Sequence, residues 1–100
     1  MLVRAVGPGL APMGVDGVLS HPKMVLFSGQ QAVATNVGWT TAANRNTIAS
    51  VAAQVGAFAL DPNSADSAML LTLDPGIYTV HVYGANGETG IAMVESYSVD

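Results

Sequence analysis

Few residues in this chain could do chemistry. It holds two histidines, His21 and His81, three basic side chains, seven carboxylates and no cysteine. The histidines would hold a metal only if they converged with a further donor. His21 lies in a Ser-His-Pro stretch and His81 in the middle of an alternating run, so their positions do not point to one site. Ser20 beside His21 is not a nucleophile and its base, because such a pair must meet in space with an orienting acid. There is no Gly-x-Ser-x-Gly elbow, and no two carboxylates have a spacing that suggests acid–base work. The glycines of GPG and GANGETG lack the strand–loop–helix context of a phosphate cradle. The expectation is a chain with no catalytic residues, no resident metal and no cofactor.

Two binding chemistries are worth weighing. Calcium takes six to eight oxygens, mostly carboxylate. Asp61, Asn63 and Asp66 in the loop DPNSAD are the best cluster, but an Asx-rich turn explains them at least as well. Calcium is therefore not expected to stabilise the fold. A sugar would stack on exposed rings beside amides. Trp39, Asn36 and Tyr83 form the candidate set for a polysaccharide ligand. The competing role for Trp39 is to cover the edge of a core where a strand ends.

Composition narrows the partners. The net charge is −4 and the only basic residues are Arg4, Lys23 and Arg45. Nucleic acid, which needs a basic patch, is excluded as an expectation. No apolar run approaches the roughly 20 residues of a membrane-spanning helix, so membrane insertion is not expected. Met1–Pro12 does not read as a signal peptide, because Arg4, Gly7, Pro8 and Gly9 break its apolar stretch. Only 10% of the residues are charged, against about 25% in an average soluble domain. With so few charges, apolar groups must reach the surface, and a sizeable apolar patch marks a contact.

The elements that would position these residues are short. Leu2–Val6, Lys23–Gly29, Gln31–Trp39, Ser67–Leu73, Ile77–Gly84 and Gly90–Val99 read as strands bounded by Gly, Pro and Asn. Between residues 43 and 55 the period changes: Ile48, Val51, Ala52 and Val55 share one helical face. Thr41 or Asn44 suits the cap that starts this helix, and Gly56 suits the residue after its end. Asn86-Gly87 is a hairpin signal between the last two strands. The pattern predicts one domain over residues 1–100, an all-β antiparallel sandwich of jelly-roll type with one short helix at 43–55.

The ordered stretches LVRAVGPGLAPMGVDGVLSHP, ATNVGW, GAFAL and DPGIYTVHVYGANGETGIAMVESY resemble a β-sandwich module of large secreted bacterial proteins. The second half is more distantly similar to pre-peptidase C-terminal domains, jelly-roll sandwiches attached to secreted enzymes. The resemblance implies a sandwich fold and a secreted or cell-surface setting, and no chemistry. Related modules carry an Asn-Asp-x-Trp pattern where this chain has Asn36-Val37-Gly38-Trp39, which counts against a cation there. They also have strand-like sequence before the LVRAVGP segment. That leads to the expectation that Leu2–Val6 is an exposed edge which a neighbour's strand could complete.

Several strands carry large side chains on both faces. In Ile77–Gly84, Tyr78, Val80 and Val82 point one way, and Ile77, Thr79, His81 and Tyr83 the other. Val25 and Phe27 oppose Met24 and Leu26 in the same manner. A sandwich strand has one core face and one outward face. The expectation is that Val25, Phe27, Ile77, Thr79, His81 and Tyr83 form an interface with another copy, giving a homo-oligomer or fibre, or with a neighbouring domain. Glu95, mid-strand among apolar residues, is expected to pair with Arg4 if the first and last strands are neighbours.

Overall fold

In the computed structural model, which describes residues 1–99, six strands form two antiparallel three-stranded sheets with one short helix. The strands are β1 (Leu2–Val6), β2 (Pro22–Ser28), β3 (Gln31–Val37), β4 (Ser67–Leu70), β5 (Tyr78–Gly84) and β6 (Met93–Tyr97). The helix α1 spans Arg45–Gln54. Sheet one has the order β4-β1-β6 and sheet two the order β3-β2-β5.

This order corrects two expectations. β1 is not an exposed edge: it is the central strand of sheet one, and all five of its residues are buried. Leu2, Arg4 and Val6 alternate with Val3 and Ala5, and both sets meet a packed layer. That is why LVRAV is apolar almost throughout rather than alternating. The second correction concerns Asn86-Gly87. The strands on either side of it enter different sheets, β5 against β2 and β6 against β1. The dipeptide forms a short 3-10 turn with Asn86 at φ 59° and Gly87 at φ 76°. Positive φ favours Asn-Gly whether or not the flanking strands pair with each other. The hairpin between neighbouring strands is β2–β3, closed by Gly29 at φ 62°.

Val3, Ala5 and Met69 of sheet one meet Met24 and Leu26 of sheet two in a single apolar cluster. Tyr78, Val80 and Val82 flank it, half-buried. On the opposite face of sheet one, Leu2 and Ala68 pack under Ile48, Val51 and Ala52 of α1, with Trp39 and Ala57. The helical face read from Ile48, Val51 and Ala52 is thus the face that docks. Asn44 takes the N-cap position, but its side chain makes no capping bond. Gly56 follows the helix at φ 79°, as a left-handed terminator requires.

Pro8–Met13, just after the Gly7-Pro8-Gly9 stop and running into the stretch 10–22 that reads as loop, is a 3-10 helix. The turn into it is tied down by Asp66. One carboxylate oxygen, Oδ1, accepts the Gly7 and Gly9 N–H groups at 2.7 and 3.1 Å, and Oδ2 accepts the Ser64 hydroxyl at 2.7 Å. A Cβ on Gly7 would overlap the Leu19 carbonyl. Glycine at that position is therefore a matter of close approach as well as of turn chemistry.

Candidate functional site

The polar residues in sheet one are occupied structurally. Arg4 on β1 lies opposite Glu95 on β6 in the register, and its Nε is 3.0 Å from Glu95 Oε1. The pairing expected from the sequence is therefore present. The approach is out of line for a hydrogen bond, so Nε and Oε1 make none, and Nη2 also lacks a partner. Nη1 donates to the Phe58 carbonyl at 2.8 Å, and the guanidinium lies 4.5 Å from the Phe58 ring centroid. Tyr97 donates its hydroxyl to Glu95 Oε2 at 2.6 Å. That bond, then partial burial and the carboxylate charge, hold the Tyr97 phenol above its ordinary value, against an opposing pull from Arg4.

The candidate calcium loop is accounted for in the same way. Asp66 is fully buried and committed to the Gly7 and Gly9 amides. Asp61 Oδ1 accepts the Asn63 N–H at 2.8 Å, which is an Asx turn. Among the described residues no three His, Cys, Asp or Glu side chains converge on a point that could hold a metal ion. His21 pairs with Glu88 at 2.9 Å and clips the segment before β2 to the β5–β6 connection. His81 sits on β5, its Nδ1 3.1 Å from the Tyr83 hydroxyl.

The residues proposed for a sugar do not form a stacking surface. Trp39 is 7% exposed, packs in the cluster under α1 and donates its Nε1–H to the Asp61 carbonyl. Asn36 is buried, and its Oδ1 accepts the Ala68 N–H of β4. Covering the core edge is the role Trp39 takes. Tyr83 alone of the three is exposed.

The outer face of sheet two carries most of the residues expected at an interface. The β2–β3 and β2–β5 registers align Val25 with Thr35 and His81, Phe27 with Thr79, and Lys23 with Val37 and Tyr83. Val25 is an exception to the expected exposure: its neighbours on the face leave it only 9% accessible. Phe27 is half-buried, its ring 4.6 Å from the His81 ring. Thr79, His81 and Tyr83 are exposed on β5. Ile77 lies just before β5 rather than in it, and at 90% is the most exposed large apolar residue described. The sequence reading missed Val33 and Val37 of β3, exposed by 48% and 44%. Their alternation in QAVATNV signals two faces, but nothing in it says which face lacks a cover.

Comparison with family models, with curated proteins and with solved structures finds no match to this chain.

Proposed function

We propose that this chain is a non-catalytic interaction module, a β-sandwich of jelly-roll type that packs against further copies of itself or against neighbouring domains. It would serve in a surface layer, a fibre or a multidomain protein. One observation carries the reading. Among the described residues, the outer face of sheet one is covered by α1, while that of sheet two has no layer over it and presents Val33, Val37 and Tyr83 around Phe27 and His81. Apolar surface gains about 25 cal/mol per Å² when removed from water, and charge on this face is confined to Lys23. The secreted or cell-surface setting rests on the resemblance of the motifs alone. The carbohydrate alternative keeps only Tyr83 as an exposed ring.

Light scattering at high micromolar concentration tests the proposal. The expected result is a particle heavier than the 10.2 kDa chain. Val33→Asp and Phe27→Asp should weaken the association made through this face with an unchanged circular dichroism spectrum. A clean monomer of the unmutated chain under those conditions overturns it.

A further inference from the structure

Each sheet has three strands, so four strands are edges: β4 and β6 in sheet one, β3 and β5 in sheet two. An edge offers a row of unpaired backbone N–H and C=O groups, and proteins guard such rows with short length, bulges, inward charges or covering groups. Three of the four are guarded. β4 has four residues, and its Ala68 N–H is bonded to the Asn36 side chain. The β2–β3 register shifts between Leu26 and Phe27, which marks an irregular strand pair. β6 has five residues and carries Glu95, turned inward onto Arg4.

β5 has none of these devices. It runs seven residues in unbroken register with β2, from Gly84 opposite Pro22 to Tyr78 opposite Ser28. YTVHVYG contains no Asp, Glu, Lys, Arg or Pro. Its inward residues Tyr78, Val80 and Val82 remain half-exposed, and Ile77 at its start is bare.

We propose that β5 is a pairing edge, and that its partner is β5 of a second copy of this chain, joined antiparallel across a two-fold axis. Self-complementarity points to that occupant. Full overlap of residues 78–84 in a two-fold antiparallel pair places His81 at the axis, opposite the same residue of the other copy. It sets Val80 opposite Val82 on the inward face and Thr79 opposite Tyr83 on the outer face. Tyr78 then lies opposite Gly84, and Ile77 opposite Ala85. Apart from His81 meeting its own copy at the axis, no pair joins two like ionisable side chains, and every large apolar residue faces an apolar or small one. The two copies of sheet two become one six-stranded sheet. A two-fold contact of this kind closes at the dimer and leaves the guarded edges free.

This proposal deepens the reading above and rests on it, but its test separates the two. The chain has no cysteine, so single-cysteine variants report one position at a time. Directly opposed residues have Cα atoms about 4.5–5.5 Å apart, within the Cα separation that a disulfide spans. The two copies of residue 79, or of residue 83, lie four residues apart along the strands, roughly 14 Å. Under mild oxidation His81→Cys should cross-link at least about tenfold faster than Thr79→Cys or Tyr83→Cys. Hydrogen exchange of the unmutated chain should show β5 amides gaining protection as concentration rises. Cross-linking at Val33→Cys or Val37→Cys without any at position 81 would overturn the edge pairing and leave the face contact standing. Monomers with concentration-independent exchange would overturn both.

Discussion

Sheet one and sheet two are built from strands of similar composition, yet they use it in different ways. In β1 and β4 of sheet one apolar side chains are answered on both sides, while Val94 of β6 stays 52% exposed. Val3, Ala5 and Met69 meet sheet two, and Leu2 and Ala68 meet α1. Its buried Arg4 is also held within the chain, by the charge of Glu95 and by the Phe58 carbonyl. In sheet two the inner face is also apolar, but among the described residues the outer face has no second layer. Val33, Val37 and Tyr83 stand in solvent there, and the β5 edge is bare. An apolar residue on the second face of a strand is thus not informative alone. In β1 it means a central layer, and in β2 and β5 it means an outer face that no second layer covers among the described residues.

The largest effect expected from breaking this contrast is in sheet one. Arg4→Ala strands Glu95 and the Phe58 carbonyl, and removing one partner of a buried pair costs about 3–5 kcal/mol. The urea midpoint should fall accordingly, and replacing both partners, Arg4→Met with Glu95→Leu, should restore most of it. Asp66→Ala comes next. It orphans the Gly7 and Gly9 N–H groups and should cost about 2 kcal/mol, whereas Asp66→Asn, which keeps an acceptor oxygen, should cost less by the same denaturation measurement.

Tyr97 gives a smaller effect confined to alkaline solution. Its phenol is raised in the folded protein, chiefly by donating to Glu95. The stabilisation this confers is therefore complete below the unfolded value of about 10, and it is lost as the pH rises through the folded value. Between pH 9 and pH 11 the unmutated chain should lose more stability than Tyr97→Phe, read from urea midpoints at the two pH values.

The smallest effect on stability belongs to sheet two. Val33→Asp on the bare face should change folding stability by no more than about 0.5 kcal/mol, while removing in sedimentation any association larger than the β5-paired dimer. A large loss of stability instead would mean that this face is packed within the chain.

Local features of the fold were readable where a residue's own chemistry decides its backbone. All six strand positions, the helix at 45–54 and its terminator Gly56 follow from side-chain period and from glycine's access to positive φ. The expected helix at 43–55 starts two residues before the observed Arg45, and Asn44, one of the two expected caps, holds the N-cap position. The fate of Asp66 was hidden for a different reason. Its partners are Gly7 and Gly9, nearly sixty residues away in the chain, and a loop of Asp, Asn and Ser looks the same whether it faces an ion or a backbone turn.

By itself the sequence determined the kinds of element, the turns, the shortage of charge and the faces on which side chains share a side. It also held the Arg4–Glu95 pair as a condition on strand order. Only the tertiary structure decided that β1 is a centre and not an edge, that Asn86-Gly87 joins two sheets, that Trp39 turns inward, and that α1 covers sheet one and leaves sheet two open. The reason is physical. Period and propensity act over a few residues and fix which way side chains point. Which layer meets each face depends on contacts between segments far apart in the chain, and the same alternating strand satisfies either arrangement.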